Sequence, residues 1–188
     1  PLIFLSLSLS RYGIVYKGTF NHATVAVKEY TRFLPANDTE AQNYSKFRND
    51  YIVGFRGICC SLNALVIEFC KFGSVESLFG KGKLTERLKL LICCDCARGM
   101  AYLHSNEVFH RDLKPDNLLV VSLSTELDTV RAKLSDFGTA KDSIKTKGAA
   151  TQEGTPIFMA PEVSSTEKLV VRPLFPCFLQ LKIHFSVR

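Results

Sequence analysis

The chain has 188 residues, of which 24 are basic and 18 acidic, giving a net charge of +6. This length can bury a substantial core and favours a single domain. The charge is mild and no basic run with interleaved aromatic residues is present, so the sequence does not indicate a nucleic-acid-binding protein. The C-terminal tail is too short and too charged to cross a bilayer, and we expect no membrane insertion.

Seven cysteines are present and the N-terminus does not show the pattern of a secretory signal peptide. An odd number of cysteines in such a chain favours reduced thiols that mostly pack as small core residues. We therefore expect a cytoplasmic protein.

Leu and Ser alternate from Leu5 to Leu9. This alternation is typical of a strand, although the first ten residues could instead be foreign sequence joined to the domain. A strand-turn-strand segment is predicted to include 13–18. The next strand, 24–28, places Val25 and Val27 on one face and Lys28, with Thr24 and Ala26, on the other.

Two helices are predicted. The first can start at 37–39, where Asn, Asp and Thr are good N-cap residues, and it places Glu40, Tyr44 and Phe47 on one stripe. A short apolar strand is expected at 65–67. The second helix runs from 86 to 104 with Thr85 as N-cap, and its apolar stripe contains Leu88, Leu91, Ile92, Cys96, Met100 and Leu103.

Two motifs follow this second helix. Residues 110–117 read His-Arg-Asp-Leu-Lys-Pro-Asp-Asn, and Asp136-Phe137-Gly138 begins 24 positions after Asp112. These match H-R-D-x-x-x-x-N and D-F-G in the order found in protein kinases. Together they supply a candidate base, a cation for phosphate and two oxygen ligands for a metal ion. The insertion between the two motifs, roughly Val120 to Arg131, is predicted to be a surface hairpin.

The chain resembles a eukaryotic protein kinase from about Ser8 to Glu162. The resemblance implies an α+β, two-lobed fold with a β-rich N-lobe and a helical C-lobe that is incomplete here. We expect the N-lobe to cover 1–68, the partial C-lobe 69–162 and a tail unlike a kinase 163–188.

The resemblance assigns the catalytic roles. Asp112 would accept the proton of the substrate hydroxyl or orient it, and Lys114 would reach the transferring phosphate. Asn117 and Asp136 would bind Mg²⁺, a hard ion that prefers oxygen ligands. His110 is expected to be a packed, structural residue. Gly138 is expected to let the chain turn sharply.

Other residues are expected to bind ATP. Lys28 would hold the α- and β-phosphates and Glu40 would orient it, although Glu40 could instead be an exposed first-turn glutamate. Glu40 is placed by counting back from 52–55, which resemble the strand that follows the kinase αC helix. The Lys28–Glu40 spacing is short for the family. Ile67 would be the gatekeeper residue beside the hinge. The ATP-binding set is Gly13, Val15, Ala26, Lys28, Glu40, Glu68, Cys70, Leu119 and Asp136, with Glu68 and Cys70 acting through their backbone.

The phosphate-covering loop departs from the family. If Gly13 is the third glycine of the loop, Ser8 and Ser10 stand where the first two glycines belong. Serine adopts positive φ less easily and its side chain obstructs close approach to phosphate. We therefore expect weaker ATP binding or a misplaced γ-phosphate.

Residues 154–162 resemble the end of a kinase activation segment. Thr155 would brace Asp112 and Lys114. Thr151 stands where an upstream kinase would phosphorylate the loop, and the phosphate could pair with Arg111; an unmodified polar loop is the alternative. Lys114-Pro115 and Gly154-Thr155 resemble serine/threonine kinases, and 68–74 resembles the tyrosine-kinase-like group.

The segment 169–188 does not resemble any part of the family, which suggests a gene fragment, a mis-spliced product or an inaccurate gene model. The predicted function is transfer of the γ-phosphoryl group of Mg-ATP to a serine or threonine of a protein substrate. A non-catalytic module that binds nucleotide or a protein partner is the alternative. A third possibility is that the chain does not fold alone, because the helices that anchor the catalytic loop are missing.

Overall fold

The computed structural model describes residues 5–10, 13–31, 39–82, 84–142 and 155. Three α-helices lie in these residues: α1 (Thr39–Lys46), α2 (Val75–Phe79) and α3 (Glu86–Ser105). The described strands are β1 (Leu5–Ser10), β2 (Gly13–Phe20), β3 (Ala23–Tyr30), β4 (Phe55–Cys59), β5 (Ala64–Glu68), β6 (Val108–Phe109), β7 (Leu118–Ser124), β8 (Thr129–Leu134) and β9 (Lys141–Asp142).

The first five strands form one antiparallel sheet in the order β1-β2-β3-β5-β4. The strand alternative for the N-terminal residues is therefore correct for 5–10. The predicted alternation along β3 is also correct, because Val25 and Val27 pack in a small cluster with Ala64 and Val66, whereas Ala26 joins the main core. Lys28 lies on the same face of β3 as Ala26.

Helix α1 begins at Thr39, within the predicted start region, and residues 37–38 lie outside the described part of the chain. Glu40, Tyr44 and Phe47 are all buried, so the predicted stripe faces the core. The strand expected at 52–55 was placed too early. Ile52 makes only an isolated bridge to Leu134, and β4 starts at Phe55.

Helix α3 covers the predicted range, and Thr85 caps it by accepting a hydrogen bond from the Leu88 N–H at 3.2 Å. Its buried stripe packs on β8. At Gly99 the two elements approach so closely that an added Cβ would lie 2.7 Å from Leu134 Cδ1 and 3.0 Å from the carbonyl oxygen of Tyr51. The absence of a side chain at Gly99 therefore sets the spacing of helix and strand.

Strands β7 and β8 form an antiparallel hairpin. A hairpin was expected at 120–131, but the expectation that it lies on the surface was wrong for its inner side. Val120, Ala132 and Leu134 are fully buried. The chain leaves the core only toward the turn at 125–128, where Leu127 is exposed.

The sheet and the helical part are joined at the segment before β4. The Val53 N–H donates to the Leu134 carbonyl at 2.9 Å, and the Leu134 N–H donates to the Tyr51 carbonyl at 2.8 Å. One core cluster extends from Ala26 and Leu65 in the sheet to Ile92 in α3 and Leu134 in β8. The architecture is α+β with a β-rich lobe and a helical lobe, as the sequence predicts.

Candidate active site

Strand β3 and helix α1 bring Lys28 and Glu40 together between the lobes. Lys28 Nζ lies 2.7 Å from Glu40 Oε1 and 3.0 Å from Oε2, and both residues are buried. Burial lowers the pKa of Lys28, but the carboxylates of Glu40 and Asp136 outweigh it and the pKa is raised. Burial raises the pKa of Glu40, and Lys28 partly offsets this. Glu40 is therefore not the exposed first-turn residue of the alternative interpretation.

Asp136 stands on the other side of Lys28. Its Oδ1 lies 3.3 Å from Lys28 Nζ, and its backbone N–H donates to the Tyr44 hydroxyl at 2.9 Å. Its φ is 63°, in the left-handed region that costs a non-glycine residue energy and that clusters at functional sites. Gly138 was expected to let the chain turn sharply after Phe137, and a turn is present there, because the Ala140 N–H donates to the Phe137 carbonyl at 3.1 Å. A Cβ at Gly138 would meet only ordinary contacts, the nearest at 3.6 Å.

The segment 110–117 gathers the predicted catalytic side chains. Lys114 Nζ lies 2.9 Å from Asp112 Oδ2, and Asn117 Nδ2 donates to Asp112 Oδ2 at 3.1 Å and to the Asp112 carbonyl at 2.7 Å. Because the amide nitrogen of Asn117 makes both bonds, its amide oxygen points away from Asp112. An oxygen of Asn117 and one of Asp136 thus remain for a hard cation such as Mg²⁺.

Thr155 closes this group from the activation segment. Its hydroxyl donates to Asp112 Oδ1 at 2.7 Å and accepts from Lys114 Nζ at 2.9 Å. Burial raises the pKa of Asp112, but hydrogen bonds from Lys114, Thr155 and Asn117 outweigh it, so the pKa lies below its usual value. Asp112 is therefore an oriented carboxylate at neutral pH.

A cluster of aromatic rings, packed edge-on or tilted, contains residues of both motifs. The Phe137 ring centroid lies 4.8 Å from that of Tyr44, 5.3 Å from that of His110 and 5.6 Å from that of Phe47. His110 is fully buried, and its Nε2 is hydrogen-bonded to the Ser135 carbonyl at 2.8 Å. Burial lowers the pKa of His110, so the ring is neutral and structural. Tyr44 of α1 packs on Phe137, so the helix that carries Glu40 lies against the segment that carries Asp136.

The residues expected around an adenine lie at the junction of sheet and hinge. Ala26 and Cys70 are buried in the main core, and Val15 and Leu119 pack against it from β2 and β7. Burial raises the pKa of the Cys70 thiol to about 12, so this cysteine is not a reactive thiolate.

Glu68 has a contact that the sequence did not predict. Its backbone N–H donates to the Gly54 carbonyl at 2.8 Å, and its carboxylate accepts from the Gly54 N–H at 3.0 Å and from Lys133 Nζ at 2.8 Å. Its side chain thus fastens the end of β5 to β8. Glu68 could therefore hydrogen-bond to an adenine only as an acceptor, through its carbonyl, because its N–H is already paired.

The residues predicted to cover the phosphates and described by the structure lie in β1 and β2, which pair antiparallel. Ser8 stands opposite Val15 and Ser10 opposite Gly13, with an irregularity in register between Ser6 and Ser8. The expectation that serine weakens phosphate binding stays a prediction. Thr151 and most of the activation segment, together with 163–188, lie outside the described residues.

Sequence reasoning missed two contributors to this site, Tyr30 and Lys133. Tyr30 donates a hydrogen bond to Glu40 Oε2, and Lys133 pairs with Glu68. Alternation along β3 places Tyr30 on the face of Lys28, so that signal was available. The partner of Lys133 lies 65 residues away and neither belongs to a motif, so the sequence offers no comparable signal.

Comparison with known proteins agrees with this geometry. The family sequence model of the protein kinase domain matches residues 10–171. The chain belongs to the protein kinase family. The match extends nine residues past Glu162, beyond the expected end of the resemblance.

Among curated relatives, a probable serine/threonine-protein kinase, gdt2, of Dictyostelium discoideum is 33% identical over 166 residues. This alignment covers 85% of the chain and 10% of the relative. Human mitogen-activated protein kinase kinase kinase 13 is 34% identical over 158 residues, covering 82% of the chain and 15% of the relative. These matches support a serine/threonine kinase that resembles the tyrosine-kinase-like group. The chain spans only a small part of these relatives' length.

Within the described residues, no helix is both long enough and apolar enough to cross a membrane. The same residues do not contain a group of three or more His, Cys, Asp or Glu side chains that could hold a metal ion. Mg²⁺ commonly binds few protein groups and completes its shell with phosphate oxygens and water, so two protein ligands would be enough, and the pair Asn117 and Asp136 stays a prediction.

Proposed function

We propose that the chain is an ATP-dependent serine/threonine protein kinase that transfers the γ-phosphoryl group of Mg-ATP to a protein hydroxyl. One observation carries the proposal: the network of Asp112, Lys114, Asn117 and Thr155 and the contacts among Lys28, Glu40 and Asp136 are formed in the same structure. Such transfer depends mainly on positioning and on neutralising charge.

Each residue has a role in this mechanism. Lys28, held by Glu40, binds the α- and β-phosphates, and Asp136 and Asn117 bind Mg²⁺, which neutralises phosphate charge when bound. Asp112 orients the substrate hydroxyl and accepts its proton, while Lys114 stabilises the charge on the transferring group. The side chains of Val15, Ala26 and Leu119 enclose the adenine. The Glu68 carbonyl and the Cys70 backbone pair with the edge of the adenine. Gly13 allows the phosphates to approach β2.

We further propose a cytoplasmic location, a protein substrate and activation by an upstream kinase at Thr151. Arg111 would bind a phosphate on that residue. Its Nε donates to the Thr139 carbonyl at 2.7 Å, which fixes the guanidinium next to the activation segment.

The decisive experiment is a γ-phosphate-transfer assay and a thermal melt of the chain with Mg-ATP, with Asp136→Ala as control. We expect Mg-ATP to raise the melting temperature and phosphate to be transferred, and both effects to be lost in Asp136→Ala. The absence of transfer from the parent chain would contradict the proposed activity.

A non-catalytic nucleotide-binding module is the second candidate, and the serines in the phosphate-covering loop favour it. The double variant Ser8→Gly/Ser10→Gly separates the two functions. If the serines only weaken a working kinase, this variant lowers the KM for ATP or raises kcat. Stabilisation by Mg-ATP with no transfer in either protein would establish the non-catalytic module.

A further inference from the structure

Tyr30 lies at the end of β3, two residues after Lys28, and both polar groups of its backbone are hydrogen-bonded to Asn63. Its N–H donates to the Asn63 carbonyl at 3.1 Å, and Asn63 Nδ2 donates to the Tyr30 carbonyl at 2.9 Å. Asn63 follows a short turn after β4 and has a φ of 48°. The backbone of Tyr30 is therefore held in place by Asn63, independently of the site that its side chain faces.

The Tyr30 side chain contacts both members of the buried ion pair. Its hydroxyl donates to Glu40 Oε2, the same oxygen that lies 3.0 Å from Lys28 Nζ. Lys28 Nζ also lies 5.3 Å from the centroid of the Tyr30 ring, within the range of a cation–π contact. The carboxylate of Glu40 is thus held by a cation and a hydroxyl that come from the same face of one strand.

The environment makes this hydroxyl important. Glu40 is only 4% exposed, so water cannot replace a lost donor without rearrangement. Hydrogen bonds to ionised groups are about twice as strong as neutral ones. A carboxylate with one donor fewer can rotate or take up a proton, and in either case its hold on Lys28 weakens.

We propose that Tyr30 is a positioning residue that fixes the Glu40 carboxylate and, through it, directs Lys28 toward the phosphates of ATP. The proposal rests on the proposed kinase function. It adds a third residue to the Lys28–Glu40 pair. This residue lies on the same face of β3 as Lys28.

Tyr30→Phe tests the proposal, because it keeps the ring and removes only the hydroxyl. We expect kcat/KM for ATP to fall about tenfold, the effect of losing one hydrogen bond to a charged group. The acid limb of the pH–rate profile should move to higher pH, since Glu40 loses a donor that stabilises its ionised form. A residue that merely supported the fold would not move that limb.

Tyr51→Phe is a matched control. Arg131 hydrogen-bonds to Tyr51, and its guanidinium lies 5.0 Å from the centroid of the Tyr51 ring. Tyr51→Phe therefore also removes one tyrosine hydroxyl that contacts a charged side chain, but it does so next to β8 and α3. This variant should retain the parent's kcat/KM and pH profile.

A second measurement does not require activity. The pKa of Glu40, followed by carboxyl ¹³C NMR in the folded chain, should be higher in Tyr30→Phe than in the parent and unchanged in Tyr51→Phe. An unchanged Glu40 titration in Tyr30→Phe would overturn the role of Tyr30, whether or not the chain transfers phosphate. Absence of transfer in the parent would overturn the kinase function alone.

Discussion

Thr155 holds two charged side chains of the candidate catalytic group at once. It donates to Asp112 Oδ1 and accepts from Lys114 Nζ, at 2.7 and 2.9 Å. A hydroxyl can do both, because it carries one donor and two lone pairs. The geometry therefore requires a hydroxyl at this position and not only a side chain of the right volume.

Thr155→Val should lower the rate of phosphate transfer about tenfold, because Asp112 loses a donor and Lys114 an acceptor. The pKa of Asp112 is depressed partly by this donor, so it should rise in the variant. Steady-state kinetics measures the fall in rate, and carboxyl ¹³C NMR of Asp112 over an acid pH series measures the rise in its pKa.

Thr155→Ser is the control for this variant, since it keeps the hydroxyl. It should transfer phosphate at nearly the parent's rate. Equal activities of Thr155→Val and Thr155→Ser would show that the two hydrogen bonds do not position Asp112.

Residues inside the motifs could be placed from the sequence because each motif fixes type and spacing together. Lys28, Asp112 and Asp136 were predicted in this way, and each contacts another predicted site residue in the structure. Lys133 could not be found, because its contact with Glu68 depends on how β8 lies against β5. The left-handed conformation of Asp136 could not be predicted either, because an aspartate gives no sequence signal for it.

At the scale of elements, the contact between α3 and β8 depends on Gly99. A Cβ there would meet Leu134 Cδ1 at 2.7 Å and the Tyr51 carbonyl oxygen at 3.0 Å. The Leu134 side chain can shift, but the Tyr51 carbonyl is fixed because it accepts the Leu134 N–H. The contact also positions β8, the strand that leads into Asp136.

Gly99→Ala should therefore destabilise the protein by about 1–3 kcal/mol, the usual cost of overpacking a core. Gly80→Ala is a suitable comparison, because its φ is −58° and a Cβ there would meet nothing within 4 Å. That change should be neutral or slightly stabilising. Urea denaturation of both variants measures the difference, and equal free energies of unfolding would contradict the tight packing at Gly99.

The elements themselves were largely predictable, since β3, α1 and α3 show clear periodicity and α3 has a polar cap. The errors arose where the burial of a residue depends on which other element of the chain packs against it. Val120 looked like the start of a surface hairpin, yet it is fully buried in the main core. Local sequence does not reveal which face of a hairpin another element will cover.

For the molecule as a whole, His110 links the stability of the fold to pH. The ring lies between the segments that carry Asp112 and Asp136, is hydrogen-bonded to the Ser135 carbonyl and packs on Phe137. Burial lowers its pKa most, and Lys114 lowers it further. The Ser135 carbonyl and the carboxylates of Asp136 and Asp112 oppose this shift, but they do not overcome it.

An unfolded histidine takes up a proton near pH 6.5, whereas folded His110 does so only at lower pH. The unfolded state then binds more protons, so the free energy of unfolding should fall as the pH drops below about 6.5, by at most about 1.4 kcal/mol per pH unit. The loss should end once the pH falls below the folded pKa. Urea denaturation at a series of pH values measures this slope.

His110→Gln should flatten that slope, because the buried titrating group is gone, while His22→Gln, at the exposed turn between β2 and β3, should leave it unchanged. Glu40 has a raised pKa and contributes in the opposite direction, but it does so equally in all three proteins. The difference between parent and His110→Gln therefore isolates His110. An NMR titration of the His110 ring in the parent gives an independent value. A ring pKa at or above that of an exposed histidine would contradict the prediction and would mean that the ring can carry charge inside the core.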